Sequence, residues 1–276
     1  MADAAITATP SPVGALLRDW RRRRRLSQMD LALEAGVSTR HLSFIETGRA
    51  RPSPEMVLTL AAELEVPLRQ RNRLLLAAGY APVYEERAMD DPEMAPVQQA
   101  VRLVLEAHDP YPAFAVDHAW ALVDHNEGAR LLMAGLPEHL LAPPLNVLRA
   151  SLHPEGLAPR IRNLAQWRAH LLERLARQAA LTGDPAIRAL HAELAAYPVP
   201  PGASDGGGGA HAVAPAGSDV VVPLRVEVGG QVLSFLSTVT TFGTPVDITV
   251  EELTLESFLP ADRATADALR RHAEVG

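Results

Sequence analysis

Nine arginines between Arg18 and Arg51 face only Asp19, Asp30, Glu34 and Glu46, a local net charge of +5. Guanidinium groups at that density suit phosphate, because each carries several N–H donors and a charge that does not titrate near neutrality. Position divides the candidates. Arg49 and Arg51 lie in a loop after a short helical stretch, where phosphate would be met. Thr39, Arg40, Ser43, Phe44 and Thr47 share the free face of that stretch, from which side chains can enter a groove. Arg40 can grip guanine O6 and N7, while Phe44 either packs on a thymine methyl or turns partly into the core. The run Arg21–Arg25 reads differently: at about 100° per residue its members point all the way round a helix and cannot share one phosphate strand. It reads as the solvated end of a helix with Arg21 turned inward.

These side chains need a scaffold, and five short helices supply it between residues 15 and 78. The first is Ala15–Arg25, with Leu16, Leu17 and Trp20 on its inner face. Ser27 caps Gln28–Ala35, Gly36 makes the turn, and Ser38 caps Thr39–Thr47, which ends at Gly48. Two helices joined by a short turn around glycine form a helix-turn-helix. Pro54–Leu64 and Leu68–Ala78 follow, with Met56, Val57, Leu60, Leu64, Leu74, Leu75 and Leu76 closing a small core.

The run Ser27-Gln28, Leu31-Ala32, Ala35-Gly36-Val37-Ser38, Leu42-Ser43, Ile45-Glu46, Gly48 and Pro52-Ser53 resembles the phage-repressor class of helix-turn-helix, the xenobiotic-response-element family. The resemblance implies that Gln28 and the start of the third helix at Ser38 touch phosphate. It also implies that Thr39, Arg40 and Phe44 occupy base-reading positions, and that Arg21 forms a buried ion pair with Glu46. Phe44 departs from the pattern, since many relatives carry a polar residue there.

The whole chain has 276 residues, 26 basic against 33 acidic, and a net charge of -7 that would repel DNA if it were evenly spread. It is not evenly spread. Residues 1–80 carry twelve arginines against eight acids, a net of +4, and residues 81–276 carry fourteen against twenty-five, a net of −11. The absence of cysteine excludes disulfide scaffolds, thiol catalysis, iron–sulfur clusters and thiolate zinc sites. No charged, apolar leader or membrane-length apolar run is present, so a cytoplasmic protein without a membrane partner is expected. Composition predicts a disordered tail over 1–12, the helix-turn-helix domain over 13–80, a linker over 81–96 and a second domain over 97–276. A flexible Gly/Pro-rich loop over 198–218 interrupts that second domain.

The second domain mixes both periodicities. A helix over Val97–His108 precedes strands Ala113–Val116 and Trp120–Asp124. A helix begins at Asn126, and a long one runs from Arg160 to about Leu181 with the stripe Ile161, Leu164, Trp167, Leu171 and Leu175. Gly229-Gly230 marks a hairpin pairing Val226 with Leu233, Leu224 with Phe235, Val222 with Ser237 and Val220 with Val239. A strand over Leu253–Phe258 and a last helix capped by Asp262 complete it. Ser237 is then either a core serine bonded to nearby backbone or a polar anchor in a cavity, and Asn126 either a helix cap or a ligand contact. Trp120, Asn126, Phe235 and Ser237 are the ligand-binding candidates on geometry.

No nucleophile elbow, phosphate loop or dinucleotide fingerprint occurs, so no enzyme, catalytic residue or cofactor is expected. His118 and His125 do not make a metal set, and no metal site is expected.

The resemblance extends to nearly the whole chain. The segment Ser38-Thr39-Arg40-His41-Leu42-Ser43-Phe44, the stretch Asn72 to Pro82, Asn126, Ser234-Phe235, the run Thr240 to Pro245 and Pro260-Ala261-Asp262 resemble MmyB-like transcription regulators. The implied fold has two domains: an all-α, five-helix, lambda-repressor-like helix-turn-helix head, then an α+β PAS-like domain with an antiparallel sheet and helices. The implied function is transcription regulation, with the second domain binding a small apolar molecule such as a fatty acid; the small area one head can bury on double-stranded DNA adds the expectation of a homodimer on a palindromic operator. The alternative is a second domain that only dimerises or binds another protein.

Overall fold

In the computed structural model, which describes residues 12–198 and 221–275, the chain divides into two compact units. The expected tail therefore lies almost wholly outside the described residues, as does nearly all of the Gly/Pro-rich loop.

The first unit contains α1 (Pro12–Arg23), α2 (Gln28–Glu34), α3 (Thr39–Glu46), α4 (Pro54–Glu63) and α5 (Leu68–Ala77). Serine caps set three of the starts. Ser27 Oγ accepts from Asp30 N at 3.1 Å while the Asp30 carboxylate accepts from Ser27 N at 2.9 Å, a reciprocal capping box. Ser38 and Ser53 accept from His41 N and Met56 N. Between α2 and α3, Gly36 has φ +66°, a left-handed conformation that a side chain would strain. The core comprises Leu17, Trp20, Leu31, Leu42, Ile45, Leu60, Leu64, Leu74 and Leu75, among others. Three expectations change. Because α1 begins at Pro12, its inner stripe is Val13, Leu17 and Trp20, leaving Leu16 39% exposed. Leu76 points outward because Leu74 and Leu75 take the inner face of α5, and Met56 is only half-buried.

The second unit is built on α6 (Ala95–Ala107), β1 (Ala113–Val116), β2 (Leu122–His125), α7 (Glu127–Met133), α8 (Glu138–Leu141) and α9 (Val147–Leu152). These are followed by α10 (Leu164–Thr182), α11 (Pro185–Ala196), β3 (Leu224–Val228), β4 (Gln231–Thr241), β5 (Thr254–Pro260) and α13 (Arg263–Val275), while α12 (Ile248–Glu252), between β4 and β5 in sequence, falls almost wholly in the first unit. All strand pairs are antiparallel, in the order β2-β1-β5-β4-β3. The last strand in sequence is thus the middle one in space, and residues Leu255 to Phe258 are all buried. Ala113, Ala115 and Leu255 pack with Val101 and Leu105 of α6, whereas Phe235 and Phe258 join the larger core formed with α9, α10 and α11.

The Gly229-Gly230 turn, with φ +57° and +79°, sets Val226 against Leu233 and Leu224 against Phe235, as its chemistry demands. The expected Val222–Ser237 pair does not form. β3 begins only after Pro223, whose carbonyl is taken by Asn163 Nδ2 at 2.8 Å, and Ser237 pairs across β5 with Phe258. Val220 lies outside the described residues. Ile161 likewise belongs not to the long helix but to an extended bridge with Val226, and α10 starts three residues later.

The head unit is not one continuous stretch. It runs on through Arg87 and takes in residues 180–182 and 245–251. Glu85 and Asp247 form a parallel bridge, Arg87 Nη1 meets Asp247 Oδ2 at 3.0 Å, and Thr249 Oγ1 donates to Arg87 O at 2.6 Å. α5 has no side-chain cap of its own, being preceded by Pro67, and Glu251 Oε2 accepts from Leu68 N at 2.8 Å. A carboxylate there satisfies an orphan donor and complements the helix dipole.

Candidate functional site

The outward face of α3 carries Thr39 and Arg40, exposed, with Ser43 and Phe44 half-buried. The Arg40 and Arg49 guanidinium carbons lie 5.3 and 5.9 Å from the centre of the Phe44 ring. Phenylalanine at this position therefore holds two cations together on the outward face of α3 by cation–π attraction. Thr47, at the far end, donates its hydroxyl to Ser43 O at 2.7 Å.

Behind that face, Arg21 Nε and Nη2 meet the two Glu46 oxygens at 2.7 and 2.8 Å, which places the implied ion pair in the structure. Gln28 Nε2 also donates to Glu46 Oε2, at 2.8 Å, so the expected phosphate contact is tethered through its amide nitrogen. Ser38 spends an oxygen lone pair on its cap and keeps a hydroxyl proton to donate. Arg51 is anchored: its Nε and Nη2 share Ala78 O, at 3.2 and 2.9 Å, and its guanidinium stacks 5.0 Å from the Tyr80 ring centre. The run Arg21–Arg25 divides as helical geometry requires. Arg21 turns inward, Arg24 donates to Leu64 O and Glu65 O at the end of α4, and Arg22, Arg23 and Arg25 are exposed.

In the second unit, β1, β2, β5, α7, α9 and α10 line a partly open cavity of about 70 Å³. Its wall is mainly Phe114, Leu132, Met133, Leu148, Trp167, Leu171 and Phe258, and its polar members are His125, Ser151 and Glu256. None of the four ligand candidates read from the sequence is in that lining. Asn126 is the cap of α7: its Oδ1 accepts from Ala113 N and Ala129 N, and its Nδ2 donates to Leu105 O and Tyr111 O. Phe235 is fully buried edge-on against Phe258. Trp120, at φ +67°, donates through Nε1 to Gln178 Oε1 at 2.8 Å. Ser237 comes nearest to its expected role, because it pairs with Phe258 of β5, which does line the cavity.

Glu256 is the residue that the sequence reading missed. It is 3% exposed, and its Oε1 accepts from Arg174 Nη1 at 2.8 Å, while the Arg174 guanidinium lies 4.4 Å from the Trp120 ring centre. Burial pushes the Glu256 carboxyl above its ordinary 4.5, and the opposing pull of Arg174 and Ser237 does not restore it. The folded chain therefore binds this proton more tightly than the unfolded chain. Stability should fall as pH rises from the ordinary carboxylate range through the raised value. Urea denaturation of the wild type and Glu256→Gln across that window checks this, since a stability difference that stays flat with pH would contradict it.

The histidines have separate partners. His118 Nδ1 lies 3.3 Å from Glu252 Oε2, and His125 Nδ1 lies 2.9 Å from Asn126 O. His139, His153 and Glu155 bring one ligand atom each within 4.8 Å of one another, but His153 Nδ1 accepts from Glu155 N at 3.1 Å and so braces its own turn. Among the described residues no helix is long and apolar enough to cross a membrane.

Residues 97–271 match the family described as the MmyB-like transcription regulator ligand binding domain, and residues 12–74 match the helix-turn-helix domain family. The chain is also similar to a protein of Bacillus subtilis (strain 168), the uncharacterized HTH-type transcriptional regulator RghRB. The two are 38% identical over 84 residues, covering 30% of this chain and 58% of that one. The chain thus spans under two thirds of the length of that relative. With more than half its length matched by one family and its head by another, the chain belongs to the MmyB-like transcription regulators, with a helix-turn-helix domain followed by a ligand-binding domain.

Proposed function

We propose that this regulator binds a palindromic operator as a homodimer in the cytoplasm, with Thr39, Arg40, Ser43 and Phe44 of α3 in the major groove. Gln28, Ser38, Arg49 and Arg51 then lie along the phosphates. The observation that carries this reading is the clustering of Arg40 and Arg49 about Phe44 on the outward face of α3. A single small head buries only about 600–1,000 Å² on DNA, so two heads on half-sites roughly ten base pairs or a multiple apart supply the affinity.

Two substitutions separate reading from anchoring. Arg40→Ala is expected to relax preference at one base position by about 1–3 kcal/mol, as read by binding selection on randomised duplexes. Arg49→Ala should weaken all sequences alike and reduce the salt slope by about one. Equal losses with unchanged preference in both variants would remove Arg40 from base reading.

The second domain then senses a small apolar molecule, a fatty acid being the case suggested by resemblance, in the cavity beside Glu256. At about 70 Å³ that cavity is smaller than the roughly 150 Å³ that admits benzene, so binding must move the wall. Met133 and the leucines of α7 and α9 can repack to do so. The ligand acts on DNA affinity only through a difference in its own affinity for the DNA-competent and incompetent states. Native mass spectrometry of the purified protein, with and without added apolar compounds, tests for an occupant.

A further inference from the structure

We infer that the buried end of the ligand carries a neutral hydrogen-bond donor such as a hydroxyl, and no carboxylate, because the polar wall of the cavity is built mainly of acceptors. This rests on the proposal that the cavity of the second domain is where the small molecule sits. Glu256 belongs to β5, paired with Phe114 of β1 and Val239 of β4 in the middle of the sheet. Arg174 Nη1, 2.8 Å from Oε1, occupies one of the roughly four acceptor positions of its carboxylate and pairs with it as an ion. The rest are left for a donor. Arg174 itself is not in the cavity lining: its guanidinium is stacked on Trp120, so a ligand meets the carboxylate rather than the cation.

The other two polar groups complete the pattern. His125 Nδ1 faces the carbonyl of Asn126, which can only accept, so the neutral ring carries its proton on Nδ1 and leaves Nε2 as an acceptor. Ser151 Oγ accepts from Trp167 Nε1 at 3.1 Å and keeps its own proton. A hydroxyl matches this set, donating to Glu256 or His125 and accepting from Ser151. A carboxylate does not. It would lose its hydration and then face a second carboxyl in a medium of low dielectric, so one of the two would have to take up a proton. A fatty acid entering this cavity would therefore put its tail toward Glu256 and its carboxylate at the opposite end.

The test uses the full chain and two matched series, short linear primary alcohols and linear carboxylic acids of equal chain length. Binding is read by calorimetry at about pH 8, where free acids are ionised. The expected result is an alcohol bound about tenfold or more tighter than its matched acid, the scale set by a hydrogen bond to a charged acceptor. Glu256→Gln should shrink that ratio toward one, because the amide keeps an acceptor and adds a donor while removing the charge. Acids that bind the wild type as tightly as alcohols would overturn this inference and leave the cavity reading intact. So would a preference that Glu256→Gln leaves unchanged. If neither series binds, the cavity is not the ligand site and both readings fall. Should Glu256→Gln not fold, the wild-type ratio decides alone, with Ser151→Ala as the second variant, expected to weaken alcohols and leave acids unmoved.

Discussion

Glu46→Ala is expected to cost the head about 3–5 kcal/mol, enough to unfold a marginal helical domain. The size follows from what the substitution leaves behind. Arg21 loses both ends of a bidentate pair and retains only Leu26 O, 2.9 Å from Nη1, while its side chain is 11% exposed. Gln28 loses its carboxylate partner in the same step. An uncompensated buried cation is far more costly than a missing pair, so Arg21→Met combined with Glu46→Leu should recover much of the loss. Because Arg21 stands on α1 and Glu46 on α3, the single variant also frees the reading helix from its support, and operator binding should disappear with the fold. Urea denaturation of the two single variants and the double variant measures the coupling. A loss of under about 1 kcal/mol for Glu46→Ala would mean that the pair behaves as a surface salt bridge.

Asn126→Ala should destabilise the second domain by a similar amount, about 3–5 kcal/mol, through four broken hydrogen bonds at one buried side chain. The backbone N–H groups of Ala113 and Ala129 and the carbonyl of Tyr111 lose this partner, and the carbonyl of Leu105 keeps only His108 N. This joins α6, β1 and α7 at a single point, so the effect exceeds the roughly 1 kcal/mol of an ordinary lost cap. Asn126→Asp keeps the two accepted bonds and forfeits the two donated ones, and should fall between wild type and Asn126→Ala. Denaturation monitored by near-ultraviolet circular dichroism of the tryptophans, Trp120 and Trp167 in this unit, gives the order. A variant of normal stability that altered only ligand binding would reverse the assignment of Asn126 from cap to contact.

Local chemistry made the head legible. Ser27, Ser38 and Ser53 announce helix starts by side-chain geometry that needs no tertiary context, and Gly36 announces the turn between α2 and α3 for the same reason. The Gly229-Gly230 hairpin was equally plain, and its register held wherever β3 exists. What the sequence hid is non-local. β5 is inserted between β1 and β4, and nothing in the stretch Leu253–Phe258 indicates that both of its faces are covered. Glu256 has the pattern of an ordinary polar strand residue, because its burial comes from β1 and β4 on either side and from α10 above it. Arg174 could have been found: it follows Trp167 by seven residues and Leu171 by three, which places it beside the inner stripe of α10. The cavity was beyond reach by pattern, because it lies where α7, α9 and α10 dock against the sheet, and docking leaves no periodicity of its own. Ser237 pairs with Phe258 of β5 and not with Val222, since hairpin counting reaches β3 and cannot see β5.

The segment 245–251 has a consequence in time. Asp247, Thr249 and Glu251 complete the head unit at Arg87 and at the start of α5, yet they are synthesised long after Ala77. At about 5–20 residues per second, roughly 9–35 s separate the emergence of the fifth helix from that of the carboxylate that caps it. During that interval the nascent head can fold around its own leucines but has an open α5 terminus. A chain that stopped before residue 245 would leave the first unit without the Glu251 carboxylate at Leu68 N and without Asp247 at Arg87.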